Sequence, residues 1–239
     1  MLEAEKLGEF AIWYVVFLFT LTIHEGGHAL VAWMGGDDTA YRGGQVSLNP
    51  WPHVRREPFG TVLIPIVTFF WSGWMMGWAS APYDPAWGRR HPRRLAAMSA
   101  AGPAANLLLM LAAFAAIKIL LGSGAFVAPD NAGFSHVVGV PPGTPDGSLL
   151  YPAAFTLSVA LNLNLLLFLF NLIPLPPLDG SGVLQGLFPA TAGRLFDALS
   201  GNPMLSLFGL LVAWRIFGYI FGPAFGMLLG LLHPGVSYS

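Results

Sequence analysis

Two histidines and a glutamate near the amino terminus have the spacing of a metal-binding helix. The segment His24-Glu25-Gly26-Gly27-His28 has the form H-E-x-x-H, and a separation of four residues places both imidazoles on one helical face. Two neutral imidazoles can chelate one zinc ion, and the glutamate beside the first of them can serve as general base for a water molecule that the metal activates. The pattern therefore predicts a hydrolytic zinc centre.

The motif lies inside an apolar run at about residues 10–34, which makes a chance match rare. An ionisable group at the middle of a bilayer helix costs about 3 kcal/mol. The alternative is that the histidines only form hydrogen bonds with neighbouring helices. That reading leaves three costly groups without a purpose, whereas a metal centre explains all of them.

A catalytic zinc needs a third protein ligand, and Asp179 is the best candidate. It follows Pro174, Pro176 and Pro177, which end the preceding helix and force an extended segment, and Gly180 allows a tight reversal. Taken alone, Asp-Gly is a common turn pair that needs no metal. The alternative third ligands lie in polar or terminal segments and are weaker candidates: His53, His91, His136 and His233.

The composition predicts that these residues are surrounded by lipid. Of the 239 residues, 55% are hydrophobic and 10% are charged, against about a quarter charged in an average soluble domain. The net charge of −1 argues against a nucleic-acid partner, and the lack of cysteine excludes thiolate zinc ligands. Mostly apolar runs, each long enough to cross a bilayer, lie near 10–34, 95–121, 151–173 and 203–232. We expect residues 1–239 to form a single membrane domain, because no repeat or long linker divides them.

The basic residues predict the orientation in the membrane. Eight of the eleven Lys and Arg residues fall in the stretches 37–59, 79–94 and 181–202, and 122–150 has none. By the positive-inside rule the three basic stretches are cytoplasmic and the amino terminus is outside. The shorter apolar run 60–78 must then enter the membrane and return. The alternative is a full crossing, with the amino terminus inside.

The sequence resembles the site-2 protease family of intramembrane metalloproteases. That family pairs H-E-x-x-H with a downstream N-x-x-P-x-x-x-x-D-G, which is matched here by Asn171, Pro174, Asp179 and Gly180. Further similarity lies in LNPWPH (48–53), GWASAP (77–82) and AGPAANLLL (101–109). No PDZ-like or CBS-like insertion is present, so the chain is nearest the compact branch of the family.

The resemblance implies one zinc ion per chain, bound by His24, His28 and Asp179, with Glu25 activating water. It also implies that Asn171 helps to hold the substrate or the oxyanion, and that a membrane-dipping β-hairpin follows the metal helix. The β-hairpin agrees with the re-entrant run that the arginines indicate.

Three further positions are candidates for contact with substrate. Asn106 and Asn164 should face the interior of the bundle, where interhelical hydrogen bonds are the alternative use. Gly77 begins the GWASAP segment.

We therefore expect an all-α polytopic membrane protein, a bundle of about 4–6 transmembrane helices with a small re-entrant β element. The predicted function is that of an intramembrane zinc metalloendopeptidase in regulated intramembrane proteolysis, which cuts transmembrane substrates in a prokaryotic cell membrane from a site that opens toward the cytoplasm. A zinc transporter explains Glu25 poorly, and a membrane binding protein without protease activity gives Glu25 no task. The sequence indicates no oligomeric state.

Overall fold

The computed structural model describes residues 2–236 and 238, and most of them are helical. In chain order the helices are α1 (Leu2–Met34), α2 (Thr39–Arg42), α3 (Trp51–Arg56), α4 (Ile64–Ser72), α5 (Pro85–Arg90), α6 (Pro92–Gly122), α7 (Leu150–Asn171), α8 (Asp179–Leu187), α9 (Gly193–Ser200) and α10 (Pro203–Leu232). Within the described residues, α1, α6, α7 and α10 are long and apolar enough to cross a membrane. This confirms the four predicted apolar runs and the all-α fold.

Large apolar side chains cover the outer surface of the long helices. Leu108 and Ile119 of α6 and Phe208, Leu211 and Tyr219 of α10 are all exposed. Exposed apolar surface of this extent fits a lipid environment.

Helix α6 lies at the centre of the bundle and packs against α1, α7 and α8. A Cβ on Gly27 of α1 would lie 3.1 Å from the Ala101 carbonyl oxygen of α6. Small residues of this kind let helices in lipid approach closely. The second half of α1, with its H-E-x-x-H motif, therefore lies directly against the first half of α6.

Helix α8 packs against the start of α6 through two glycines one turn apart. A Cβ on Gly182 would meet the Ser99 side chain, and a Cβ on Gly186 would meet the Pro92 carbonyl oxygen. Asp179 is the first residue of α8. The close contact between α8 and α6 therefore brings its carboxylate to the side of α6 that faces α1.

The apolar segment 60–78 turns back on itself. A π-helical turn (Phe59–Leu63) leads into α4, and α4 ends at Gly73, whose φ of 80° lies in the left-handed region that favours glycine. The chain then returns, and the Trp78 amide N–H donates to the Gly60 carbonyl oxygen at 3.1 Å. The two ends of the segment are therefore adjacent, as a re-entrant segment requires and a single crossing does not allow.

The predicted β element is absent from this segment, and this corrects the sequence-based expectation. In the described part of the chain, β pairing is limited to two isolated bridges in the loop before α7, Val127 with Gly139 and Gly133 with His136. A helix satisfies its own main-chain groups, whereas a two-stranded hairpin leaves unpaired edges that are costly in lipid. A helical form is therefore the more stable one for a short apolar segment that enters the bundle.

The loops of the bundle are sorted to opposite ends. Near the amino-terminal half of α1, the loop 122–150 is held by Trp13, which stacks on Phe134 with ring centroids 5.6 Å apart. At the other end of α1, the Arg94 Nη1 donates to the Gly35 carbonyl oxygen at 2.9 Å. The loop 122–150, which has no basic residue, and the arginine-rich stretch 79–94 thus lie at opposite ends of the bundle. This is the asymmetry that the positive-inside rule uses.

Candidate active site

Three potential ligand side chains from distant parts of the sequence meet between α1, α6 and α8. The Nε2 of His24 lies 3.1 Å from the Nε2 of His28 and 3.2 Å from Oδ2 of Asp179. The Nε2 of His28 lies 3.3 Å from Oδ1 of Asp179. Both imidazoles are buried and Asp179 is partly buried. The structure thus brings together the three residues that the sequence identified as a ligand set.

Hydrogen bonds direct the Nε2 atom of each imidazole into this site. The Nδ1 of His24 lies 2.6 Å from Oδ1 of Asn106, and the Nδ1 of His28 lies 2.7 Å from the Met98 carbonyl oxygen. Both partners are acceptors, so each Nδ1 carries the proton and each Nε2 presents a lone pair. Metal-binding histidines are fixed in this way by their second ring nitrogen.

The converging groups fit a zinc ion. Ligand atoms about 2.0–2.1 Å from a tetrahedral zinc lie about 3.3 Å from one another, and the three separations here are 3.1, 3.2 and 3.3 Å. The buried Oδ2 of Asp179 lacks a hydrogen-bond partner, and a metal bond would satisfy it. Two imidazoles and a carboxylate also form a donor set of catalytic zinc sites, in which a fourth position stays open.

A chain of uncharged hydrogen bonds supports His24. The Nδ2 of Asn106 donates to Oδ1 of Asn164 at 2.9 Å, and the Nδ2 of Asn164 donates to Oγ1 of Thr20 at 3.1 Å. All three side chains are buried. Sequence reasoning missed the bond from His24 to Asn106. Contacts of Asn106 and Asn164 with substrate stay predictions, and the structure gives both amides partners inside the bundle.

Gly102 lines the site and was also missed as a functional position. A Cβ there would meet the Nε2 of His28 and lie 2.6 Å from the Nε2 of His24. A side chain would therefore occupy the space on which the ligands converge. A signal was present in the sequence, because Gly102 and Asn106 are four residues apart on one face of α6, and glycine is disfavoured in a helix interior unless close packing requires it.

Glu25 lies beside the ligands, as the motif predicts. Its side chain is buried, and its Oε1 lies 4.0 Å from the Nε2 of His24. Asn171 is the last residue of α7, and its Nδ2 donates to the Leu167 carbonyl oxygen at 3.0 Å. Its predicted catalytic role stays a prediction.

Gly77 serves the packing of the re-entrant segment. A Cβ on Gly77 would meet the Gly60 carbonyl oxygen and lie 2.6 Å from the Phe17 ring. Any side chain would therefore disturb the contact of this segment with α1. Binding of substrate by Gly77 stays a prediction.

The alternative histidines do not join the ligand group that the described residues form. His91 directly precedes α6, and His136 lies in the loop before α7. His233 follows α10, where its Nε2 lies 2.7 Å from the Val137 carbonyl oxygen. His53 is buried on α3.

Comparison with known proteins agrees with the geometry. The chain matches Peptidase family M50 over residues 12–214. It is 33% identical over 177 residues to Putative zinc metalloprotease YwhC of Bacillus subtilis (strain 168), an alignment that covers 73% of this chain and 68% of that protein.

Mycobacterial proteins are also similar. Putative zinc metalloprotease Rip2 of Mycolicibacterium smegmatis is 30% identical over 183 residues, which cover 75% of this chain and 58% of that protein. Putative zinc metalloprotease Rip2 of Mycobacterium tuberculosis (strain H37Rv) is 27% identical over 231 residues, which cover 95% of this chain and 77% of that protein. No solved structure matches this chain significantly.

A bundle of apolar helices with a His-His-Asp group between them fits the class of membrane-embedded metallopeptidases. The chain belongs to peptidase family M50, the site-2 protease family. It is accordingly a zinc metalloprotease and a multi-pass membrane protein that associates with the bilayer.

Proposed function

We propose that this protein is an intramembrane metalloendopeptidase that hydrolyses peptide bonds of transmembrane substrates, with residues 1–239 acting as one protease domain. The observation that carries the proposal is the group of His24, His28 and Asp179, with Glu25 beside it, inside a bundle of apolar helices. These three residues would hold one zinc ion, and the ion would supply Lewis-acid polarisation of the attacking water and of the scissile carbonyl.

The depth of the site supports a substrate within the membrane. His24 lies ten residues before the end of α1 at Met34, which is about 15 Å of helix. A scissile bond must reach this depth inside the bundle. A transmembrane substrate hides its carbonyls in helical hydrogen bonds, so it unwinds around the scissile bond before cleavage.

The remaining residues have separate tasks in the proposed reaction. Glu25 accepts a proton from the attacking water and delivers it to the leaving amine. The Asn171 amide donates to the developing oxyanion. In the structure this amide donates to Leu167 of its own helix, so it must rotate when substrate binds. Asn106 keeps the His24 imidazole in the tautomer that leaves Nε2 free.

We further propose that the site opens toward the cytoplasm of a prokaryotic cell and serves regulated intramembrane proteolysis. The support is that the arginine-rich stretch 79–94 lies at the carboxyl-terminal end of α1, the half that carries His24 and His28, as the bond from Arg94 to Gly35 indicates. A cysteine introduced at Arg90 should react with a membrane-impermeant thiol reagent only after the cells are opened. Labelling in intact cells would contradict the orientation.

The mechanism is tested by separating metal binding from turnover. Glu25→Gln should retain zinc, because all three ligands remain, and should cut a membrane substrate about 100-fold to 10,000-fold more slowly than the parent protein. Asp179→Ala should lose zinc as well as activity, because two imidazoles form an incomplete site. The measurements are zinc content by mass spectrometry and cleavage of a helical substrate in liposomes. Wild-type turnover by Glu25→Gln would refute the role of Glu25 as general base.

A further inference from the structure

His53 is buried without the hydrogen bonds that a buried imidazole needs. Its exposed fraction is 1%, and neither ring nitrogen has a hydrogen-bond partner. The Ser47 main chain is the polar group nearest in effect to the ring, and its interaction with the ring falls short of the distance and angle of a hydrogen bond. Buried polar groups in folded proteins are almost always paired, so this exception calls for a ligand or a function. His233 is the ordinary case, since its buried Nε2 lies 2.7 Å from the Val137 carbonyl oxygen.

The main chain around His53 is held firmly. The Trp51 amide N–H donates to Oδ1 of Asn49 at 2.9 Å, which fixes the start of α3. At the end of α3, the Glu57 amide N–H donates to the His53 carbonyl oxygen at 3.0 Å. The main chain of His53 is therefore held in place although its ring nitrogens make no bond.

The segment that leads into His53 passes beside the active-site helix α1. The Glu25 carboxylate is near enough to His53 to oppose, in part, the effect of burial on the pKa of the imidazole. The segment that leads into α3 contacts α1 at Gly26, the residue after Glu25. A Cβ on Gly26 would be 3.4 Å from the Ser47 carbonyl oxygen. His53 thus belongs to a segment that lies against α1 beside Glu25.

The imidazole of His53 is neutral near pH 7. Burial lowers the pKa of His53, and the nearby Glu25 carboxylate only partly opposes this effect. A neutral imidazole offers one N–H donor and one acceptor. Both are unpaired here, and because the ring is buried, a neutral partner such as a peptide group reaches them only when the packing around α3 opens on substrate binding.

We propose that His53 binds the main chain of the substrate beside the scissile bond and donates a hydrogen bond from one ring nitrogen to a substrate carbonyl oxygen. This inference rests on the proposed function, because it requires a peptide in the site. An unwound substrate segment in a bundle poor in water exposes carbonyl groups, and each one needs a donor. His53 supplies such a donor without binding the metal or transferring a proton.

The decisive variant is His53→Phe, which keeps a ring of similar size and removes both nitrogens. We expect kcat/KM for a helical membrane substrate to fall at least about tenfold, since one hydrogen bond to bound substrate is lost. Zinc content should be unchanged, and the melting temperature should be unchanged or higher, because the nitrogens make no bond in the free protein. His53→Gln, which keeps an N–H donor, should recover part of the lost kcat/KM and serves as the second variant if the Phe protein does not fold.

His233→Phe is the matched control, because it removes a buried imidazole that does have a partner. It should lower the melting temperature and leave kcat/KM per zinc-loaded molecule unchanged. The inference is overturned if His53→Phe cleaves at the parent rate, or if it behaves like the control and loses stability without a specific loss of kcat/KM. An active His53→Phe beside an inactive Glu25→Gln would refute only the role of His53 and would leave the proposed function standing.

Discussion

The imidazoles of His24, His28 and His53 are all buried, but their ring nitrogens are satisfied in opposite ways. His24 and His28 each have Nδ1 bonded to an oxygen of α6, so only Nε2 faces the site. His53 has both ring nitrogens unpaired. The contact between α1 and α6 therefore orients both imidazoles for one bound metal ion. On α3, the unpaired ring nitrogens of His53 remain available for a substrate that binds and then dissociates.

Among substitutions that test this contrast, Gly102→Ala is expected to have the largest effect, which is on zinc affinity. The new Cβ would overlap the Nε2 atoms of both ligand histidines, so at least one imidazole must move. Zinc affinity, measured by competition with a chelator, should fall by at least about 100-fold.

Gly218→Ala is the control for this substitution. Gly218 lies inside α10 and has nothing within 4 Å of the added Cβ. Its zinc affinity should equal that of the parent protein. Full zinc binding by Gly102→Ala would show that the ligands are less fixed than the α1–α6 contact indicates.

A smaller effect is expected from Asn106→Leu, which removes the acceptor for the His24 Nδ1–H. Loss of such a supporting bond typically costs about 10-fold to 100-fold in metal affinity. Asn106→Asp keeps the acceptor and should retain more affinity than the Leu variant. Equal losses in both variants would mean that metal affinity depends on the bond from Asn106 to Asn164 rather than on its bond to His24.

Asn162→Leu is the matched control for Asn106. Asn162 is also a buried amide, but its Nδ2 donates to the Phe134 carbonyl oxygen at 2.6 Å, at the opposite end of the bundle. This variant should lower the melting temperature and leave zinc affinity unchanged.

The smallest effect of the series is the tenfold loss of kcat/KM expected for His53→Phe. This substitution should leave zinc affinity unchanged.

The meeting of His24, His28 and Asp179 could be predicted from sequence because each of the two motifs that contain them is local. The separation of His24 and His28 is set by the pitch of one helix, and the prolines before Asp179 mark where the chain can return. The partner of His24 could not be predicted in this way. It depends on the register of α1 against α6, which is set by close contacts such as that of Gly27 with Ala101.

The form of the segment 60–78 illustrates a second limit. Its return through the bundle followed from the arginines on both sides, but its predicted β structure was wrong because a short apolar run has no periodicity that separates helix from strand. The unpaired state of His53 is equally invisible in the sequence, since it depends on which main-chain groups come near the ring.

Glu25 and Asp179 lie around one point, so their charges can balance that of a metal ion bound there. Their two negative charges equal the double positive charge of a zinc ion, and the supporting side chains Asn106, Asn164 and Thr20 carry none. The loaded centre therefore presents no net charge to its apolar surroundings. Without the ion, the Asp179 carboxylate has the imidazoles of His24 and His28 beside it, at 3.2 and 3.3 Å. We therefore expect metal binding to stabilise the folded bundle, because a bound zinc ion would offset the charge of a polar centre that lies among apolar helices.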